Sequence, residues 1–140
     1  MSKEDLELLS TFYRNKGYRD FEILKDTIQF SNDSKKMSIV LTISEGEKYK
    51  YRDFSWEGMS LFSEEDLQNT LALEKGEQFS DENFNLALYS RVQGLYLDRG
   101  YIYSRIEPQI TPIGIDSLDI HFVITENRKV FINNIIVQGN

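Results

Sequence analysis

Side chains that could perform acid, base or nucleophilic chemistry are few and scattered in this chain of 140 residues. The only histidine, His121, lies between Ile120 and Phe122, and this alternation places it on the polar face of a strand. One histidine and no cysteine offer little from which to build a zinc site or a serine triad. We therefore predict no catalytic residue, no metal site and no cofactor.

Two acidic pairs, Glu64-Glu65 and Asp81-Glu82, could in principle supply general acid–base catalysis. Each pair follows a serine, and serine accepts hydrogen bonds from the free amides of a first helical turn. The helix dipole also favours negative charge at that end. We interpret both pairs as helix starts. We expect Trp56 to anchor the core or a domain junction rather than stack on a ligand.

The charge balance limits the classes of partner. There are 23 acidic and 16 basic residues, which gives a net charge of -7. This balance argues against nucleic acid, because phosphate binding depends on clustered Lys and Arg. No apolar run approaches the ~20 residues of a membrane-spanning helix, and the start lacks the apolar core of a signal peptide. We expect the chain as given to be a soluble segment.

Hydrophobic spacing and glycine positions predict alternating helices and strands. A long amphipathic helix ends before Gly100, where a left-handed residue commonly terminates a helix. Tyr101, Ile102 and Tyr103 are expected to open the strand that follows it. The predicted helices cover 3–16, 63–73 and 80–98, and the predicted strands cover 18–30, 37–43, 49–57, 101–110, 118–125 and 130–137.

The order of these segments repeats. Gly17-Tyr18 aligns with Gly100-Tyr101, at a sequence offset of 100 - 17 = 83. Beyond a turn of variable length, Glu45 aligns with Glu126, at an offset of 126 - 45 = 81. One full period is strand, helix, helix, strand, strand, and the chain begins and ends inside neighbouring periods.

These residues resemble the POTRA (polypeptide-transport-associated) domains of the BamA family of outer-membrane assembly factors. The helix endings YRNKGY and YLDRGY are similar to that family's Gly-Tyr signature, and FINNIIVQGN is similar to its first strand. The stretch 43–59 resembles a junction between domains, although Asn127 stands where the first copy has Gly46. The positions of the structural signature are Gly17, Tyr18, Gly46, Gly58, Gly100, Tyr101 and Gly139.

The resemblance implies an α+β fold of tandem POTRA units. Each unit is expected to be a small three-stranded mixed sheet covered on one face by two helices. Residues 1–46 would be the second helix and last two strands of one domain, 47–127 a complete domain, and 128–140 the first strand of the next.

The resemblance also implies a scaffold rather than an enzyme. The chain would be a periplasmic part of an outer-membrane protein anchored by a C-terminal barrel. It would bind unfolded outer-membrane β-barrel proteins and the accessory lipoproteins of the assembly complex, and would help insertion of the barrels. The alternatives are a two-partner secretion transporter, another POTRA-bearing scaffold such as a division-site protein, or a small-ligand enzyme.

From the family topology, we expect the strand from Tyr101 to lie at a sheet edge, 118–125 at the centre and 49–57 at the other edge. Pro108 supports the first placement, because proline is tolerated mainly in edge strands. The edge would bind a client strand by β-augmentation. The predicted edge and groove residues are Ile102, Tyr103, Ser104, Arg105, Ile106, Arg91 and Leu95.

The isolated chain is also expected to associate with itself. Residues 1–46 lack a first strand, whereas 130–137 are a first strand without a sheet. The hypothesis is that Val130–Val137 of one copy completes the N-terminal half-domain of another by strand exchange.

Overall fold

The helices begin at serine caps in the computed structural model, which describes residues 2–33 and 35–131. Helix α1 covers Lys3–Asn15, and Ser2 Oγ accepts from the amide of Asp5 at 3.2 Å. Helix α2 covers Glu64–Leu71, and Ser63 Oγ accepts from Asp66 at 3.0 Å. The predicted helix starts, including the placement of the acidic pairs there, are confirmed.

The long helix, α3, is continuous but not uniform. It consists of α-helical Asp81–Asn85, a π-helical stretch Leu86–Val92 and α-helical Gln93–Asp98. A π-helical stretch takes more residues per turn, so it rotates the side chains that follow it around the helix axis.

The strands form two sheets. β1 (Glu22–Phe30) pairs antiparallel with β2 (Met37–Ser44). In the second sheet the order is β3 (Lys50–Glu57), β5 (Ser117–Thr125) and β4 (Arg105–Ile113), with β3 parallel and β4 antiparallel to the central β5. The predicted edge, centre and edge positions are confirmed.

The core lies between the second sheet and the helices α2 and α3. Alternate residues of β5 point inward, and α2 and α3 contribute leucines and aromatic rings to the same cluster. Trp56 stacks on Phe122 at 4.3 Å between ring centroids and donates to Gln68 Oε1 at 2.9 Å, which confirms it as a core anchor. The chain thus has the predicted α+β fold, with a mixed three-stranded sheet and two helices on one face.

The two Gly-Tyr corners have the same backbone geometry. Gly17 and Gly100 have φ values of 101° and 90°, in the left-handed region that favours glycine. The amide of the following tyrosine donates back into the helix. Tyr18 donates to the carbonyl of Tyr13 at 3.1 Å, and Tyr101 donates to the carbonyl of Tyr96 at 3.0 Å. These hydrogen bonds repeat at the offset that the sequence predicts for the two corners.

The connection from each corner to the next unit is also repeated. The amide of Tyr49 donates to Gly17 O at 2.9 Å, and the amide of Val130 donates to Gly100 O at 2.9 Å. Gly46 and Asn127 both have positive φ, at 70° and 58°. Asparagine tolerates this conformation, so the sequence departure at Asn127 leaves the backbone shape unchanged.

The predicted starts of two strands are wrong. β4 begins at Arg105 rather than at Tyr101, and β1 begins at Glu22 rather than at Tyr18. In each case a turn precedes the strand. Before β4 the amide of Ser104 donates to the carbonyl of Tyr101 at 3.1 Å, and before β1 the amide of Phe21 donates to the carbonyl of Tyr18 at 3.1 Å. Apolar residues in these turns imitate the start of a strand in sequence.

Of the predicted strand 130–137, only Val130 and the neighbouring Phe131 are described. Its other residues, with Gly139, lie outside the described residues.

Candidate strand-binding edge

Strand β4 forms one border of the second sheet. It pairs with β5 from Arg105, opposite Thr125, to Ile113, opposite Ser117, and among the described residues no strand pairs with its other side. Such a border presents unpaired amides and carbonyls that can pair with another extended chain.

The backbone groups on this border can be identified from β5. The amide of Lys50 in β3 donates to Asp116 O at 2.9 Å, and a Cβ added to Gly58 would overlap Ile124 O. Both carbonyls therefore face β3. Because groups alternate along a strand, the even-numbered residues 116–124 face β3 and the odd-numbered ones face β4.

The same alternation applies to β4 through its register. Residues 105, 107, 109, 111 and 113 lie opposite the odd-numbered residues of β5 and bond to them. The intervening residues present their backbone to the outside. We call this set the open edge: Ile106, Pro108, Ile110 and Pro112. Proline has no amide hydrogen to donate, so its place on the open edge costs the sheet no hydrogen bond.

Helix α3 flanks the open edge. Gln93 Nε2 donates to Ser104 O at 2.9 Å and to Ser104 Oγ at 2.7 Å, just before β4. Tyr89 lies four residues before Gln93, on the same flank of the helix, and is 57% exposed. We call this exposed Tyr89 ring the apolar shelf, because it lies on the flank of α3 from which Gln93 reaches the start of β4.

Three of the residues predicted to form the edge lie outside the strand. Ile102, Tyr103 and Ser104 precede β4 in the turn, where Ile102 and Tyr103 are 51% and 57% exposed and Ser104 is buried. Only Arg105 and Ile106 belong to the strand. Ser104 is held by Gln93, and Asn127 Nδ2 donates to Tyr103 O at 2.6 Å.

The two predicted helix residues also lie away from the open edge. Arg91 donates to Leu71 O at 2.9 and 3.1 Å, so its guanidinium is directed at the end of α2. Leu95 packs against the core. Sequence periodicity identified the apolar stripe of α3 but not which neighbour each flank touches. The position of Tyr89 outside that stripe was the signal that could have identified the shelf.

The opposite border of the sheet, along β3, is covered. The amide of Tyr51 donates to Glu77 O at 3.0 Å, that of Gly76 donates to Tyr51 O at 2.7 Å, and that of Phe79 donates to Tyr49 O at 2.9 Å. The segment 76–79 thus occupies the first half of this border.

A charged pair protects the next position of β3. The amide of Phe54 donates to Asp53 Oδ1 at 3.0 Å, and Lys75 Nζ lies 3.0 Å from the same oxygen. The hydrogen bond and charge of Lys75, with the Phe54 amide, lower the pKa of Asp53. An incoming strand would have to displace this ionised carboxylate.

His121 lies on the face of the sheet opposite α2 and α3, on the polar side of its strand as predicted. Its Nδ1 lies 2.6 Å from Ser55 Oγ, and its Nε2 lies 3.0 Å from Glu57 Oε1. Two concavities lie elsewhere, one between α1 and β1 and the other between α2 and Phe54. Within residues 2–33 and 35–131, no three His, Asp or Glu side chains are grouped as metal ligands.

A carboxylate at the end of β5, Glu126, ties three parts of the unit together. It accepts from Ser60 Oγ at 2.5 Å, from Tyr96 Oη at 2.7 Å and from the amides of Ser60 and Leu61 at 3.0 and 3.2 Å. Burial alone would raise the pKa of Glu126, but these hydrogen bonds outweigh it and hold the pKa below its ordinary value. Burial and the same contact raise the pKa of Tyr96.

None of the helices in the described segments combines the length and apolar character needed to cross a membrane.

The chain is similar to known proteins over nearly its whole length. It is 31% identical over 140 residues to the outer membrane protein assembly factor BamA of Neisseria meningitidis serogroup B, covering 98% of this chain and 17% of that protein. It is 22% identical over 140 residues to a putative outer membrane protein assembly factor of Treponema pallidum, covering 96% of this chain and 17% of that protein.

Solved structures share the fold. The crystal structure of POTRA domains 3–5 of Haemophilus influenzae BamA superposes with a TM-score of 0.70 at 21% identity, covering 91% of this chain and 50% of that one. BamA from Haemophilus ducreyi lacking POTRA domains 1–3 gives 0.65 at 18% identity, covering 91% and 24%.

The family match covers most of the sequence in two segments. Residues 1–46 and 49–127 match the POTRA family, described as a surface antigen variable number repeat. Each segment carries one of the two Gly-Tyr corners found in the structure. The chain belongs to the POTRA family.

Proposed function

We propose that this chain is part of the periplasmic POTRA segment of an outer-membrane β-barrel assembly factor. The similarity to BamA proteins over 98% and 97% of the chain supports this role. Its clients are unfolded outer-membrane β-barrel proteins, and its other partners are accessory lipoproteins of the assembly complex. The parent protein is anchored by a C-terminal barrel, and the segment acts as a scaffold rather than as an enzyme.

We further propose that residues 1–46 are the C-terminal part of one POTRA domain, 47–127 a complete domain and 128–140 the first strand of the next. The hydrogen bonds from Tyr49 to Gly17 and from Val130 to Gly100 support boundaries at these places, because each joins one corner to the start of the following unit.

The client site of the complete domain is the open edge of β4 with the apolar shelf of α3. One observation carries this assignment: among the described residues β4 has a free border, whereas β3 is covered by 76–79 and by the Asp53–Lys75 pair. Backbone pairing takes little account of client sequence, which suits a receptor for many different barrel strands. The shelf adds apolar contact for side chains on the helix side of the client.

A peptide titration tests this function. The probe is a strand peptide of about ten alternating valine and threonine residues with lysine at both ends, like one strand of a membrane barrel. We expect amide shifts along 105–113 and at Tyr89. Shifts confined to α2 or to β3 would contradict the proposal.

Two aromatic residues of nearly equal exposure provide a matched pair for the shelf. Tyr89 is 57% exposed on the flank of α3 from which Gln93 reaches β4, and Phe12 is 56% exposed on α1. Tyr89→Ala should weaken peptide binding by roughly five-fold, since it removes about 1 kcal/mol of apolar contact. Phe12→Ala should leave the affinity unchanged. Equal effects of the two substitutions would argue against the shelf.

A further inference from the structure

The open edge of β4 is poor in hydrogen-bond donors. Four residues present their backbone outward, and two of them, Pro108 and Pro112, carry no amide hydrogen. The edge therefore offers four carbonyl acceptors but amide donors only at Ile106 and Ile110. A central strand could not tolerate these prolines, and an edge strand without them would be a complete template for pairing.

The equivalent strand of the first unit shows the contrast. β1 pairs with β2 as β4 pairs with β5, and the amide of Ser31 donates to Lys36 O at 2.8 Å at the end of that hairpin. The backbone of Ser31 therefore faces β2. That of the preceding residue, Phe30, faces away from β2, as do those of Ile28 and Asp26 by alternation. All three carry an amide hydrogen, and β1 contains no proline.

The strand register shows which residues of β1 correspond to the two prolines of β4. Pro112 lies opposite Leu118 as Phe30 lies opposite Met37, and Pro108 lies opposite Phe122 as Asp26 lies opposite Leu41. The residues of β2 and β5 that lie opposite these positions differ by the same sequence offset as Glu45 and Glu126, since 118 - 37 = 81 and 122 - 41 = 81. Two positions that carry donors in β1 thus lack them in β4.

We infer that Pro108 and Pro112 set the strength with which this domain holds a client strand. The inference rests on the proposed function of the open edge. In antiparallel pairing, a client residue opposite Ile106 or Ile110 exchanges two hydrogen bonds with the edge, whereas one opposite either proline only donates. The client must therefore supply an amide hydrogen at every facing position. The domain binds it weakly and releases it, instead of incorporating it as a permanent fourth strand.

The test adds one donor to the edge. Pro108→Thr introduces an amide hydrogen and a residue suited to strands, and Gln109→Thr is the matched control, because residue 109 faces β5. With the valine–threonine peptide, we expect Pro108→Thr to tighten binding by roughly 2- to 12-fold, the effect of one net hydrogen bond. Gln109→Thr should not change the affinity.

Hydrogen exchange gives a second readout that does not depend on affinity. In the Pro108→Thr variant, the amide introduced at position 108 should exchange rapidly in the free protein and become protected when the peptide binds. Protection of that amide in the free protein would show that position 108 faces β5 and would overturn the inference.

The failures of the two proposals are distinguishable. Peptide shifts along β4 in the wild-type protein, with no gain in affinity for Pro108→Thr, would overturn the proline inference alone. No shift along β4 in either protein would overturn the client site and the inference together. Thermal unfolding of each variant shows whether its fold is intact.

Discussion

At the scale of single residues, Gly58 has the closest backbone neighbour of the described glycines. A Cβ at this position would overlap the main-chain oxygen of Ile124, which is part of the central strand and cannot move aside. We expect Gly58→Ala to destabilise the domain by roughly 3 kcal/mol or more, because overpacking against backbone adds to the strain of a positive φ. Chemical denaturation would measure this loss.

Gly76 is the matched control for Gly58. Its φ of 87° is nearly that of Gly58, at 88°, but no described atom lies within 4 Å of the added Cβ. Gly76→Ala should therefore cost only the conformational strain, about 1–2 kcal/mol. Equal losses for the two variants would show that the approach of Ile124 is not tight.

Tyr51 is a second residue with a clear expectation. It is 2% exposed, and its hydroxyl has no hydrogen-bond partner among the described residues. Burial raises the pKa of the phenol, with smaller contributions from Glu77 and Asp81. Tyr51→Phe should leave the free energy of unfolding unchanged or raise it by about 1 kcal/mol, since an unpaired buried hydroxyl is unfavourable. A clear loss of stability in thermal melts would mean that the hydroxyl has a partner.

At the scale of elements, the sequence predicted what depends on local chemistry. Ser2, Ser63 and Ser80 cap their helices, and each accepts a hydrogen bond from the amide three residues later. Alternation along 118–125 also predicted the buried side of the central strand. Both features are properties of neighbouring residues and require no knowledge of the tertiary fold.

What could not be predicted depends on contacts that are distant in sequence. Ile102 and Tyr103 have strand-forming side chains, yet the turn closed by Ser104 keeps them out of β4. The π-helical stretch of α3 shifts the phase that a uniform helix would give to later residues. Periodicity alone therefore could not show that Arg91 reaches α2 while Gln93 reaches the start of β4.

The hydrogen bonds between Glu126 and the loop after β3 should make the stability of the domain sensitive to acid. The hydrogen bonds from Ser60, Leu61 and Tyr96 favour the ionised form of Glu126, so its pKa is lower in the folded state than in the unfolded state. The stability that it contributes is present above the ordinary glutamate pKa of 4.5 and is lost as the pH falls through the folded value.

Glu126→Gln tests this linkage. The variant should be less stable at neutral pH by about 1–2 kcal/mol, a range that allows for partial solvent exposure. Its stability should also fall less steeply than that of the wild type as the pH drops from about 5 to 3. Glu107→Gln, on the exposed face of β4, is the control. Parallel pH profiles for the wild type and Glu126→Gln would refute the linkage.

At the scale of the whole molecule, side chains reinforce the first junction. Tyr49 Oη donates to Asp20 Oδ2 at 2.7 Å, and this contact and burial raise the pKa of the phenol. The amide of Glu82 donates to Asn15 Oδ1 at 2.9 Å, so α1 also contacts the start of α3. These contacts connect the first unit with the second on two sides.

The 140-residue chain should associate with itself at high concentration. In the described part of the chain β2 pairs only with β1, and Met37, Ile39 and Val40 are exposed. A free apolar border of this kind favours pairing with a strand from another copy. Light scattering should show dimers or larger species for residues 1–140 but a monomer for residues 1–128. A monomer in both cases, with equal stability, would exclude the exchange.

The hydrogen bonds that join Gly17 to Tyr49 and Gly100 to Val130 use main-chain atoms alone. A joint of this kind places little demand on the identity of the residues that meet there, and tyrosine and valine occupy the same place. Gene duplication and recombination could therefore exchange, add or delete whole units at this boundary and keep this main-chain hydrogen bond. The number of units would then be free to change faster in evolution than the fold of any one of them.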